Sequence, residues 1–251
     1  MKPSPLQLLR NLLFYVLYVP SIIIWGLLVS IAIPLPYAWR WKTVNVWVHL
    51  TLWWLRISCG VRHEVKGLEN LPKQTAIIMS KHQSTWETIG FQAIFPAHVW
   101  VLKKELLKIP FFGWGLKSLE AIAIDRNAGR KAVVQVARQG LERLKAGRWV
   151  VVFPEGTRTA PGAQGRYKLG GAVLAVKSGY PVVPVAHNAG EYWPKHWLYK
   201  YPGVITVSIG PAIESEGRDA ETLMGEVENW IETEMRAISK TPYQENSAPQ
   251  D

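Results

Sequence analysis

Cysteine is nearly absent: Cys59 is the only one in 251 residues. The chain alone can form no disulfide and no thiolate metal site. Set in an apolar stretch, Cys59 reads as a small buried residue. Acidic residues are missing from positions 1–60, where Lys2, Arg10, Arg40, Lys42 and Arg56 carry all the charge. Between Leu12 and Trp39 there is no charge of either sign. An apolar and basic segment suits a lipid surface better than nucleic acid. The formal net charge of +10 therefore points to membrane phospholipid or a phosphorylated small molecule, with nucleic acid disfavoured. His49, His63, His98, His187 and His196 lack metal-ligand spacing.

What the N-terminus does have is length. A helix over Leu12–Ile33 would reach about 33 Å at 1.5 Å per residue, close to the roughly 30 Å of bilayer hydrocarbon. Pro34 and Pro36 stop it, and Pro20 should kink it. The run is long for a secretory signal, and no Ala-x-Ala site follows. Crossing the bilayer and embedding from one side both remain open, because basic residues flank both ends. Thr43–Ile57 reads as a second helix, either lying at the interface or buried in a soluble domain. Trp25, Trp39, Trp41, Trp47, Trp53 and Trp54 crowd this region, and tryptophan favours the membrane–water boundary.

From about Val61 the pattern changes. Short apolar runs at Ala76–Met79, Val99–Leu102, Ala121–Ile124, Trp149–Phe153, Val182–Ala186 and Val204–Ile209 read as strands. Helical patterns lie between or after them at Thr85–Ile94, Lys131–Lys145, Gly171–Ser178 and Ala220–Ile238. The expected fold is α/β, a mixed and largely parallel sheet with helices on both faces, preceded by a membrane-associated helical segment. The expected units are 1–60 as anchoring helices, 61–238 as the α/β domain and 239–251 as a disordered polar tail. His187 and Glu191, close to Gly190 and Pro194, read as a loop.

Two elements carry chemistry. His82 follows one predicted strand and Glu87 stands five positions on. Residues five apart point about 140° from each other on one helix. The pair can meet only if His82 sits on the turn and Glu87 in the first helical turn, with Ser84 as N-cap. Ser84-Thr85-Trp86-Glu87 is also a capping box. Glu87 is thus open to a capping role, to orienting His82, or to both if its two oxygens divide the work. A histidine so held is a candidate general base near neutrality. The second element, Phe153-Pro154-Glu155-Gly156-Thr157-Arg158, ends another predicted strand. Gly156 lets backbone approach a ligand, and Arg158 offers a planar fork to phosphate. Glu155 could orient that guanidinium or bind a substrate hydroxyl. Lys103-Lys104 and Asp125-Arg126 place further charge after two more predicted strands. An anion site beside a base is the common reading. A non-catalytic binder of anionic lipid is the alternative, and it would be indifferent to His82.

In this order, the elements resemble the glycerophospholipid acyltransferase family, with bacterial lysophosphatidate acyltransferases as the nearest members. The family's H-x-x-x-x-D is met by His82 to Glu87 with Glu for Asp. G-x-x-F-I-D-R is met in part by Glu120 to Arg126, where Glu120 and Ala123 replace Gly and Phe. F-P-E-G-T-R is complete at Phe153 to Arg158, and Val183-Pro184-Val185 matches a fourth, apolar motif. The resemblance implies acyl transfer from coenzyme A or acyl carrier protein, as co-substrate, to the sn-2 hydroxyl of lysophosphatidate. It implies His82 as base with Glu87 orienting it. Lys103, Arg126 and Arg158 would hold phosphate, Asp125 would hold Arg126, and Glu155, Gly156 and Thr157 would shape that pocket. Pro184 would stand near the thioester. A lyso-ornithine lipid or another lysophospholipid is the alternative acceptor. No metal and no resident cofactor are expected. No Gly-x-Ser-x-Gly elbow occurs, so direct transfer without an acyl-enzyme is expected. The setting implied is the bacterial inner membrane, with the site on its cytoplasmic side.

Overall fold

A computed structural model describes residues 4–125, 128–195 and 198–243. Seven strands form one sheet in the order β1-β7-β6-β2-β5-β3-β4. They are β1 (Val61–Lys66), β2 (Ile77–Ser80), β3 (His98–Lys103), β4 (Ile122–Ile124), β5 (Trp149–Val152), β6 (Val182–His187) and β7 (Gly203–Ile209). All neighbouring pairs are parallel except β6 with β7. The mixed, largely parallel α/β sheet is the expected one. β1 was not expected: Val-Arg-His-Glu-Val-Lys shows almost no buried side chain, so it has none of the apolar run that marks the inner strands.

Both faces are covered, which is why every residue of β2, β5 and β6 is buried. Ile78, Val151 and Val183 point to one face, and Ile77, Val150 and Val182 to the other. α5 (Arg130–Lys145), α6 (Gly170–Ser178) and α8 (Ala220–Ile238) pack on the second face. α8 buries Leu223, Met224, Val227, Ile231 and Met235, a helical stripe, and starts at Asp219, whose side chain accepts from Glu221 N and Thr222 N.

The first face is covered by α1 (Pro5–Ile31), α2 (Tyr37–Cys59), α3 (Glu87–Ile94) and α4 (Phe112–Ser118). α1 begins seven residues before the predicted start, with Ser4 capping Gln7 N and Pro5 opening the helix. It runs as one helix through Pro20. Phe14, Val48, Leu52, Leu55 and Cys59 join the same core as Ile78, Val151 and Val183. The helices of 1–60 are therefore packed into the sheet's core on one side. On the other side α1 leaves Leu12, Val16, Ile24, Leu28 and Ile31 exposed.

The tail is not free at its start. Glu191 Oε1 accepts from Ser239 Oγ at 2.8 Å, Lys240 N at 2.7 Å and Thr241 N at 2.8 Å. This corrects two expectations. Residues 239–243 are tied down, and Glu191 belongs to a short helical turn, α7 (Ala189–Tyr192), rather than a loop. Positions 244–251 lie outside the described residues.

Candidate active site

Parallel β2, β5 and β6 bring their C-terminal ends together, the usual place for a crevice in an α/β sheet. Past β2 the chain leaves the sheet as Lys81-His82-Gln83-Ser84 and enters α3 at Glu87. Glu87 is fully buried. Its Oε1 accepts from His82 Nδ1 at 2.8 Å, Gln83 N at 2.9 Å and Ser84 N at 2.7 Å. Capping and orientation, posed as alternatives by the sequence, thus meet on one oxygen. The expected division between two oxygens is corrected: Oε2 is buried and has no partner among the described residues. Ser84 is not the residue before α3, either. Its hydroxyl accepts from Trp86 N at 3.0 Å and donates to Trp193 O at 2.6 Å.

Burial works against the charge on Glu87. The His187 imidazole, the His82 ring and Ser84 N–H outweigh it, and the carboxyl lies below its usual value. His187 is itself pushed down by burial, so it is neutral near pH 7 and the three N–H donors are the lasting support. A carboxylate can only accept, so His82 carries its proton on Nδ1 and keeps a lone pair on Nε2. Nε2 has no partner among the described residues. The ring stacks on Phe153, with centroids 4.0 Å apart and planes at 13°, which fixes the remaining rotation. The His82 side chain is 11% exposed.

The turn after β5 is clamped to this histidine on both sides. Glu155 Oε2 accepts from His82 N at 2.9 Å, and Thr159 N donates to His82 O at 2.8 Å. Gly156 has φ +69, and an added Cβ there would lie 3.0 Å from Lys168 Nζ. Glu155 is where expectation and structure part. Both its oxygens face inward: Oε1 takes Lys81 Nζ at 2.8 Å and Gly165 N at 3.1 Å. It neither orients Arg158 nor faces a substrate hydroxyl. Burial pushes its carboxyl above the usual value, against the pull of Lys81.

Arg158 is half-buried, and among the described residues no carboxylate lies within the ion-pair range of its guanidinium. Lys195 Nζ donates to Arg158 O at 2.9 Å and stands 3.4 Å from Thr157 Oγ1. Lys103 is exposed at the end of β3, 3.8 Å from Glu105. Asp125 follows β4 and pairs with Lys104 at 2.6 Å. Its expected partner Arg126 lies outside the described residues. Pro184 is a correction. It sits inside β6 on the face packed by α8, against Gly210 and near Trp230, and not beside His82. Among the described residues no group of three His, Cys, Asp or Glu is placed to hold a metal ion.

Sequence reasoning missed Lys81, Glu232 and His187. Lys81 is 0% exposed, with Nζ 2.8 Å from Glu155 Oε1, 2.8 Å from Glu232 Oε1 and 3.0 Å from Ala163 O. The available signal was a lysine directly after an unbroken apolar strand, and a glutamate next to Ile231 on the apolar stripe of α8. His187 ends β6, fully buried, with Nε2 2.8 Å from Lys81 O. Glu120, where a glycine is usual, has φ +57. That left-handed backbone costs a non-glycine residue roughly 1 kcal/mol. Ion pairs with Arg40, Arg143 and Arg148 offset it.

A carboxylate-oriented histidine beside a Gly–Arg turn, at the C-terminal ends of parallel strands, is an arrangement able to serve acyl transfer. The acyltransferase family model matches residues 62–188, and the chain belongs to that family. It is 47% identical over 94% of its length, and 94% of the relative's, to a 1-acyl-sn-glycerol-3-phosphate acyltransferase of Pseudomonas aeruginosa. A mouse 1-acyl-sn-glycerol-3-phosphate acyltransferase alpha is 30% identical over 72% of this chain and 66% of its own. The crystal structure of the 1-acyl-sn-glycerophosphate acyltransferase PlsC from Thermotoga maritima superposes with a TM-score of 0.78. It shares 26% identity and covers 95% of this chain and 98% of its own.

Proposed function

We propose that the protein moves a fatty acyl group from an acyl thioester to the sn-2 hydroxyl of 1-acyl-sn-glycerol-3-phosphate, giving phosphatidic acid. The donor is acyl-coenzyme A or an acylated acyl carrier protein. The names of its relatives support the acceptor. The observation that carries the chemistry is the 2.8 Å contact between His82 Nδ1 and Glu87, which leaves Nε2 as a base. Nε2 takes the proton of the sn-2 hydroxyl as that oxygen attacks the thioester carbonyl. The C–S bond then breaks, and the imidazolium returns the proton to the departing thiolate. Glu87 stabilises the imidazolium between those events. Arg158, with Lys103 and Arg126, grips the phosphate and sets the hydroxyl within reach. No acyl-enzyme and no resident cofactor enter the scheme.

An acceptor with one fatty chain lives in a bilayer. α1 is long and apolar enough to cross one, and its exposed side chains suit lipid. A site held at the headgroup plane of the inner membrane, on the cytoplasmic side, would shorten the acceptor's path.

Thiol release from acyl-coenzyme A with lysophosphatidate tests this. His82→Ala should lower turnover at least ~100-fold while acceptor binding persists. A variant without His82 that still esterifies at the parent rate overturns the assignment.

A further inference from the structure

Directly beneath His82 lies a set of buried charges that the proposed acyl-transfer steps do not use. Lys81 precedes the histidine in the chain, yet its side chain turns the other way, into the protein. It is completely enclosed. All three of its N–H directions are taken, by Glu155 Oε1, Glu232 Oε1 and Ala163 O. Tyr167 OH donates to the same Glu232 oxygen at 2.7 Å. The other oxygen of Glu155 accepts the His82 backbone N–H. One unbroken path of polar contacts therefore runs from Glu232 on α8, through Lys81 and Glu155, to the backbone of His82.

We propose that Lys81, held by Glu232, is a positioning residue for the reaction: it fixes Glu155 so that Glu155 fixes the His82 backbone under its own imidazole. The inference rests on His82 being the base. Lys81 touches no substrate. Its ammonium is the one positive charge among the described residues within ion-pair range of either Glu155 or Glu232. Two enclosed carboxylates without it would repel, and one of them would have to take up a proton or swing toward solvent. Either response changes how Glu155 holds His82 N, and with it the line from Nε2 to the acceptor hydroxyl. A misplacement of about 1 Å at such a centre can cost on the order of 100-fold in rate.

The geometry also predicts which parameter moves. Arg158, the turn's proposed phosphate-binding cation, makes no contact with Lys81, the Glu155 carboxylate or Glu232 in the described hydrogen bonds and ion pairs. Acceptor binding should therefore survive a change that spoils the aim of the histidine.

The test is steady-state thiol release by the full-length enzyme in detergent–phospholipid micelles with lysophosphatidate and acyl-coenzyme A. Six proteins are compared: the parent, His82→Ala, Lys81→Met, Glu232→Gln, the double variant Lys81→Met with Glu232→Gln, and Val227→Ala. Lys81→Met should lower kcat roughly 10- to 100-fold with the acceptor KM within about twofold. Glu232→Gln keeps an acceptor oxygen toward Lys81 and should lower kcat by a smaller factor, about 3- to 10-fold, again without a KM change. The double variant Lys81→Met with Glu232→Gln should be no worse than Lys81→Met alone, because both act through one path. Val227→Ala opens a cavity in the core beside α8 and supplies the control for lost stability. It should lower the melting temperature while kcat stays at the parent value.

Parent-level kcat in Lys81→Met, or a rise in KM without a fall in kcat, overturns the proposal. So does a fall in kcat for Val227→Ala that matches the charge variants at equal loss of melting temperature. If Lys81→Met does not fold, Glu232→Gln decides alone, and an unchanged kcat there overturns the proposal. His82→Ala separates the two readings: its retained activity would sink the base assignment, whereas its inactivity beside a fully active Lys81→Met would sink this inference alone.

Discussion

The outer surface of α1 and the ground beneath His82 invert the usual rule in opposite senses. On α1, Leu12 is 62% exposed and Ile31 76%. Under the histidine, Lys81 is 0% exposed and Glu87 is enclosed as well. Apolar groups stand outside in one region and full charges inside in the other. Each is tolerable only with a particular surrounding. An exposed apolar stripe along a whole helix suits a lipid or protein surface better than water. Buried charge needs an opposite charge or hydrogen bonds to hold it, or it costs several kcal/mol. The first region thus reports on the environment and the second on the chemistry. They meet at Trp193, whose carbonyl takes the Ser84 hydroxyl and whose ring packs edge-on to Phe14 and Tyr18 of α1.

The inner region should break hardest at Glu87. Glu87→Gln keeps size and removes charge, and its amide can donate toward Nδ1 and reverse the tautomer. Turnover should fall about 10²- to 10⁴-fold, by analogy with other carboxylate–histidine pairs. Glu87→Asp keeps the charge and shortens the reach by one methylene, so it should recover part of the rate. Thiol-release kinetics measure both. Gln at parent speed would show that the carboxylate only caps α3. Because the folded carboxyl lies below its usual 4.5, its contribution to stability is complete above about pH 4.5 and is lost as pH falls through the lower folded value.

The outer region is best tested without cutting it away. Removing residues 1–60 would strip Phe14, Leu52, Leu55 and Cys59 from the sheet's own core, so loss of activity would say little about lipid. Leu12→Lys with Val16→Lys and Ile24→Lys changes only exposed positions. Each lysine in a bilayer core costs roughly 3 kcal/mol. Flotation with anionic phospholipid vesicles should show binding at least ~10-fold weaker, with turnover on detergent-dispersed acceptor within about twofold of the parent. Unchanged flotation would mean that α1 does not face lipid.

How legible each region was follows from the same contrast. α1 and the inner strands were readable because burial on both faces, or an apolar outer face as well as an inner one, leaves unbroken apolar runs such as Trp149–Val152. The pairing of His82 with Glu87 was readable because one strand–turn–helix joins them. The edge strand β1 was not, since polar side chains cover most of it. Lys81 and Glu232 were hidden for another reason. They lie 151 positions apart, and a charge looks the same in a sequence whether water or a carboxylate neutralises it. Glu155 and Pro184 were misplaced because a motif says which residues recur, not which way each side chain turns out of the strand.

Lys200 sharpens the comparison with the smallest effect, since it is a buried charge in the region that otherwise lacks them. It anchors α1: its backbone N donates to Asn11 Oδ1 at 2.7 Å, and its carbonyl accepts from the Gln7 and Asn11 side chains. Its ammonium faces the rings of Phe14, Tyr15 and Trp193 at 4.3, 3.8 and 4.3 Å. Burial pushes it down from 10.5 to about 7, and the ring faces support the charged form against that push. The unfolded chain therefore holds more protons than the folded one between about pH 7 and 10, so stability should rise with pH across that window. Lys200→Met removes the titration. Between pH 7 and 9 the parent should gain on the order of 1–2 kcal/mol relative to the variant, a few degrees in melting temperature. Parallel melting curves at the two pH values would show that the aromatic box, and not burial, sets the protonation of Lys200.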